Sequence, residues 1–282
     1  MNNSQLIQHL TADHLNSCDN ARLFCEGVHD AFYGTLPSAD TLNNPLKLEE
    51  LPISEAAAVG MVTGASMFGI KPILCFQRVE FGILAMDQIV TNASKIGFLS
   101  AGACVSPFLL RMVIGRGWGQ GPCHSQSFES IWNSIPGLKV YLPVTSSDYI
   151  SVFEDLKCTR QPIICLEHRW THNIPASTRV GVSCEKPLAT VLSYSYNALV
   201  ATGVAKLLAS RGVHLDIVCG ATVDEIRLPL RYSVERSRRL ITMDIGFKRF
   251  GVSTELVADL AESGIILDRP LIRIGCPFRP AS

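Results

Sequence analysis

Charge is what this sequence is shortest of. Asp, Glu, Lys and Arg supply 18 % of its 282 residues, whereas an ordinary soluble domain carries about a quarter. The 25 basic residues balance the 25 acidic ones, so no net field selects a nucleic acid or an anionic membrane as partner. No stretch reaches the ~18 apolar residues that a membrane-spanning helix needs; AAAVGMVTGASMFGI comes nearest. The ten cysteines include no CxxC pair, and several stand inside apolar runs such as PILCF and PIICLEH, where a reduced thiol is a small buried hydrophobe. Without zinc-spaced cysteines or HExxH no metal site is expected, and without GxSxG there is no nucleophile elbow. The glycines of GRGWGQG match neither GxxxxGK[ST] nor a post-strand GxGxxG. A cytoplasmic protein is expected, because the first two dozen residues lack a basic segment followed by an apolar one.

With 47 % hydrophobic residues the chain has ample material for a core. The charge shortage therefore points to an unusually large core or to surface that faces another subunit. From residue 51 the sequence alternates helix-like and strand-like segments, the pattern of an α/β fold. Strands are expected at KPILCF, PFLLRMVI, LKVYLP and PIICLE, with helices at SEAAAVGMVTGASMFG, SFESIWNSI and SSDYISVFEDLKC. One long helix is expected over GILAMDQIVTNASKIGFLS, from the spacing of Ile83, Met86, Ile89, Val90 and Ala93. The stretch 171–186 has no periodic apolar face and separates a first domain, residues 1–170, from a second α/β domain, residues 187–282. That second domain reads as strand, helix, strand, helix despite Pro229, strand, helix and strand, with its first helix closed by Gly212.

Two polar residues stand out. Glu55 precedes an almost uncharged helical segment. It either caps the helix start, with Ser54 as N-cap, or is a carboxyl held in an apolar setting, where burial favours the protonated form. His124, in GPCHSQSFE, lies in a loop entering a helix, where an imidazole is placed either for structure or to handle a proton of a reacting group. The pair His168 and His172 has helical spacing but no helical face.

LPISEAAAVGMVTGASMFGIKPIL, AMDQIVTNASKIGFLS, GPCHSQSFESIWNSIPGLKVYLPVTSSDY and RQPIICLEH, in that order, resemble the beta subunit of the thiamine-diphosphate-dependent component of 2-oxo-acid dehydrogenases. This is the pyruvate, branched-chain and acetoin group of the transketolase-like superfamily. The resemblance implies a pyrimidine-binding domain followed by a transketolase C-terminal-type α/β domain. It also implies roles. The glutamate of PISE, here Glu55, shares a proton with the cofactor pyrimidine and so promotes formation of the thiazolium ylide. The aromatic residue packing on the pyrimidine falls at Phe81, and the HSQ histidine, His124, orients substrate or moves protons. Asp87 and Gln88 would organise a helix. The GDG…N segment that holds the diphosphate and Mg²⁺ belongs to an alpha subunit in this family and is missing from this chain. An alpha-like partner is therefore implied, in a heterotetramer of two alpha and two beta chains, with a lipoyl-bearing acyltransferase as a further partner.

Departures from the pattern bear on the substrate. CFQRVEFG sets Arg78 and Glu80 where apolar or small polar residues are commoner, so Arg78 is expected to contact substrate. KCTRQP replaces an Asp-containing stretch with Thr159 and Gln161. The expected activity is decarboxylation of a 2-oxo acid with acyl transfer to lipoamide. The alternative is a transketolase-like or acyloin-forming carbon–carbon bond synthase, also with an alpha-like partner.

Overall fold

The apolar runs form strands that are covered on both faces, the setting in which a parallel sheet does without alternating polarity. The computed structural model describes residues 1–28 and 30–280. In it β1 (Ala21–Cys25), β2 (Leu48–Glu50), β3 (Lys71–Phe76), β4 (Leu109–Ile114), β5 (Lys139–Tyr141) and β6 (Ile163–His168) make a parallel sheet in the order β2-β1-β3-β4-β6-β5. A second parallel sheet follows: β7 (Ala189–Ser193), β8 (Leu215–Val218), β9 (Leu240–Phe247) and β10 (Ile272–Cys276), in the order β10-β9-β7-β8.

Helices cover the first sheet on both sides. Helix Ser146–Cys158 starts at a capping box of Thr145 and Asp148 and buries Tyr149, Val152, Phe153 and Leu156, the i, i+3, i+4, i+7 face of an amphipathic helix. Beside it lies helix Asn3–Ser17, which the sequence reading did not anticipate; its capping box is Asn2 with Gln5, and it buries Ile7 and Leu15. The opposite face packs on helix Glu55–Met67 through Ala58, Val59 and Val62. That same core continues through Trp132 to Leu192, Val218 and Leu240 of the second sheet, so the two halves share one apolar interior. At their junction Glu129 accepts hydrogen bonds from the Gly246 N–H (2.7 Å) and the Tyr194 hydroxyl (3.2 Å), and that hydroxyl also meets Asp244 (2.7 Å). Burial pushes the Glu129 carboxyl toward its neutral form.

The expected long helix at residues 82–100 is broken. Helix Val79–Leu84 gives way to a π-helical stretch, Asp87–Ala93, and then to helix Ile96–Leu99. The wider i→i+5 turn shifts the buried face, so that Ile89 and Ala93 go inside while Ile83 lies at the surface. Pro229 sits on the exposed side of helix Val223–Ser237, where water can satisfy the carbonyl its missing N–H leaves free.

One row crosses the first sheet. Cys25, Cys75, Arg111 and Cys165 occupy matching register positions on β1, β3, β4 and β6, facing helices Asn3–Ser17 and Ser146–Cys158. Arg111, wholly buried, donates to both oxygens of Glu167 (2.6 and 3.0 Å) and to the Thr35 hydroxyl (2.8 Å). His172 completes the group at 2.9 Å from Glu167. Burial pushes the Glu167 carboxyl up, but Arg111 and His172 more than offset it and hold it at about 2.

Candidate active site

The C-terminal ends of parallel strands are where loops of an α/β sheet gather a site. Here β1 runs into Glu26 and Gly27, β2 ends on Glu50, β3 runs into Gln77 and Arg78, and β4 runs into the glycine-rich loop from Gly115. Glu50 turns the first of these loops by accepting from the N–H groups of Gly27 (2.8 Å) and Val28 (2.6 Å). Gly27 has φ +99°, a left-handed conformation that favours glycine at this turn.

Glu55 is the first residue of its helix and is 5 % exposed. Ser54 stands at the N-cap position but makes no side-chain cap bond. Among the described residues Glu55 has no ion-pair partner. Its charge acts on a second carboxyl, Glu26. Burial, with the added repulsion of Glu55, raises Glu26 to about 7, and Glu26 Oε1 is buried without a hydrogen-bond partner. Glu26 is thus the carboxyl that burial and a nearby like charge push toward its neutral form. The sequence reading did not single out Glu26. Its only local signal is a carboxylate at a strand end before a glycine.

Helix Glu55–Met67 packs on helix Val79–Leu84, and the latter packs on the turn Pro122–His124. Phe81 meets His124 edge-on, ring centroids 5.7 Å apart at 73°. The structure thus brings Phe81 and His124 into contact and sets Glu55 on the neighbouring helix. His124 Nδ1 is buried without a partner.

Arg78 lies differently. It is 2 % exposed, its Nη2 donates to the Gly115 carbonyl (3.3 Å), and its guanidinium lies 4.9 Å from the Trp118 ring. Burial lowers its pKa, against the opposing pull of Tyr33 and Glu80. The side chain is enclosed by protein, and its Nε and Nη1 are buried without a hydrogen-bond partner. Asp87 and Gln88 hydrogen-bond to each other, and Gln88 accepts from Asn92 (2.9 Å), which fits the expected helix-organising part.

His168 and His172 do not act together. His172 is held by Glu167, whereas His168 stacks on Tyr196 (4.8 Å, 13°) beside Trp118 and Trp170. Burial, reinforced by the charges of His172, Arg116 and Arg78, lowers His168 to about 3 and keeps it neutral. A groove of about 770 Å³ is lined by Asn133, Lys139, Arg227 and Glu255 and includes none of Glu55, Phe81 or His124. A smaller cavity of about 210 Å³ lies nearer, between Ser125 and Phe247. Volume is a poorer guide here than the unmet hydrogen-bonding capacity at the sheet edge. Near Glu55 and Phe81 in the chain, Ile53 (86 %) and Leu84 are exposed.

Comparison with known proteins gives the following. The profile of the family described as "Transketolase, pyrimidine binding domain" matches residues 2–186. The chain is 28 % identical over 246 residues to the mitochondrial pyruvate dehydrogenase E1 component subunit beta-1 of Arabidopsis thaliana, covering 82 % of this chain and 68 % of that one. To the corresponding subunit beta of Homo sapiens it is 26 % identical over 245 residues, covering 81 % and 68 %. Among solved structures, a split gene transketolase described as an inactive beta4 tetramer superposes with a TM-score of 0.77 at 15 % identity, over 96 % of this chain and 87 % of that one. That likeness is one of fold.

Proposed function

The chain belongs to the transketolase pyrimidine-binding-domain family, whose members are thiamine-diphosphate-dependent enzymes, and from that premise we propose that it is the beta-type half of a two-chain enzyme acting on a 2-oxo acid. The observation that carries this reading is the carboxyl pair at the sheet edge. Glu55 is buried at the head of its helix without an ion-pair partner, and Glu26 beside it is raised to about 7. A buried carboxyl needs a group that shares its proton, and a pyrimidine ring nitrogen meets that need. The residues therefore fit the group: Glu55 would hold the proton at the ring nitrogen, Glu26 would keep the pair's total charge low, and Phe81 would offer an aromatic face to the ring.

When bound, thiamine diphosphate supplies a nucleophilic carbon and the electron sink for decarboxylation. The chain's own part is then to exclude water, to orient the carbonyl compound and to move protons. His124, held edge-on by Phe81, is the group placed to exchange a proton with the substrate oxygen. Pyruvate dehydrogenase E1 beta subunits are the relatives at 26–28 % identity, and they support oxidative decarboxylation with acyl transfer to lipoamide over the carbon–carbon bond-forming alternative. The exposed Ile53 and Leu84 flank a site that one chain leaves open. They support an alpha-like partner that carries the diphosphate and Mg²⁺ site in a tetramer of two alpha and two beta chains.

The test is exchange of the cofactor C2 proton in the complex reconstituted with its partner. Glu55→Gln should slow it by about 10²–10⁴-fold, the range for a positioned acid–base group, with the melting temperature unchanged. Exchange at the wild-type rate would reject the assignment of Glu55.

A further inference from the structure

The loop that carries His124 is built to be soft. Gly115, Gly117, Gly119 and Gly121 all have positive φ, a conformation in which glycine adds no stiffness. Its interior bonds are local: Trp118 to Gln120 (2.9 Å) and the Gln126 amide to the Pro122 carbonyl (3.0 Å). A catalytic imidazole on such a loop needs fixing from outside, since small displacements of a reacting group cost rate steeply.

Arg116 ties the loop to the Ile245 carbonyl, and a second anchor lies at the loop's neck. The loop is pinched at its neck, where the Gly115 N–H donates to the Gln126 carbonyl (3.2 Å). Each neck residue has one further backbone group, and each of these is tied to the segment just before Phe81. The Gly115 carbonyl accepts from Arg78 Nη2 (3.3 Å), and the Gln126 N–H donates to Glu80 Oε1 (2.7 Å). Four residues thus form one continuous chain, Arg78 to Gly115 to Gln126 to Glu80. Its two ends flank Val79, which is wholly buried, and stand next to Phe81, whose ring meets His124. The base is fixed because Val79 is packed and Arg78 is itself buried. The neck itself has no slack: a Cβ on Gly115 would lie 2.5 Å from His168 Nε2.

We propose that Arg78 and Glu80 are positioning residues, a two-point clamp that holds the neck of the 115–126 loop in register with Phe81 and so fixes the place of the His124 imidazole. The two charges that depart from the family pattern in CFQRVEFG are then a matched pair acting on the backbone of the histidine loop. This role rests on the reading of His124 as the proton-exchanging residue. The clamp itself is testable without any cofactor.

The test compares Glu80→Met, which keeps bulk and loses the acceptor, with Glu80→Gln, which keeps a carbonyl oxygen at the same reach. In the chain alone, hydrogen exchange of the Gln126 amide should quicken about tenfold or more in Glu80→Met, the size expected when a bond to a carboxylate is lost. Amides of β3 and β4 should be unaffected, and Glu80→Gln should restore most of the protection. Equal protection of Gln126 in wild type and Glu80→Met, or failure of Gln to rescue, overturns the clamp. Should Glu80→Met not fold, Arg78→Met reads the other point through the Gly115 amide by the same criteria. In the assembled enzyme Glu80→Met should lower kcat while cofactor affinity holds. Loss of protection with unchanged kcat overturns the positioning role. Unchanged kcat in His124→Ala overturns the reading beneath it and leaves the exchange result standing.

Discussion

Two sets of buried charge belong to the same parallel sheet. Beneath it, Arg111, Glu167 and His172 are tied to one another by three charge-assisted bonds, two of them the parallel pair from a guanidinium to a carboxylate, with Arg111 Nη1 and His172 Nδ1 left over. At its C-terminal edge, Glu26 and Glu55 are buried and His124 is half-buried, none of the ion pairs among the described residues includes them, and Glu26 Oε1 and His124 Nδ1 have no partner. The first set is cross-linked and lies among helices that cover it. The second opens toward exposed apolar side chains, Ile53 and Leu84 among them. Buried charge and unpartnered polar atoms are thus common to scaffold and site, and what separates them is whether the charges pair with one another within the chain.

That contrast can be broken at several points. Arg111→Met should have the largest effect and act on folding alone. Removing one partner of a buried pair leaves the other uncompensated, at a cost of about 3–5 kcal/mol, read by urea unfolding. A loss below about 1 kcal/mol would show that the pair is not the linked unit described. His124→Ala should do the reverse, lowering turnover of the assembled enzyme about a hundredfold, the low end for a proton-transfer group, with little change in stability. If it unfolds the chain instead, the edge is scaffold. The smallest effect concerns pH. Glu26 is raised from the ordinary carboxylate range to about 7, so its neutral form fits the fold, and its contribution to stability is present at low pH and lost as pH rises through that interval. Glu26→Gln should flatten the stability difference between pH 5 and pH 8; an unaltered slope would place the titration elsewhere.

Much of the scaffold could be read from the sequence because parallel strands advertise themselves. KPILCF, PFLLRMVI and PIICLE are uncharged or nearly so and became β3, β4 and β6. Helix Asn3–Ser17 escaped because its buried face mixes Asn3, Thr11 and His14 with Ile7 and Leu15, which blurs the apolar stripe, although Asn2 and Gln5 do spell a capping box. The interruption at Asp87–Ala93 escaped because a π-turn preserves the apolar count and alters only its phase. In the site, Glu55, Phe81 and His124 were legible through the order of their motifs. Arg78 was legible as an unusual charge but not as an enclosed one: its bond runs to a carbonyl 37 residues away, which no local pattern encodes. Glu26 escaped for the same reason, since its raised affinity for a proton comes from burial and from Glu55 across the strand ends.

The row of cysteines across the first sheet divides the chain's thiols by reactivity. Alkylation and oxidation proceed through the thiolate. The neighbouring Cys75 thiol and burial push Cys25 well up, and burial does the same to Cys165. These sulfurs stay protonated and out of reach for as long as the sheet holds together. Cys104, Cys123 and Cys158 are exposed, and Cys123 directly precedes His124 in the clamped loop. A maleimide probe confined to Cys123, with Cys104, Cys158 and the part-exposed Cys18, Cys184, Cys219 and Cys276 replaced by serine, would therefore put a reporter on the loop that carries His124, while the inner thiols serve as a silent gauge of whether the sheet beneath it is still intact.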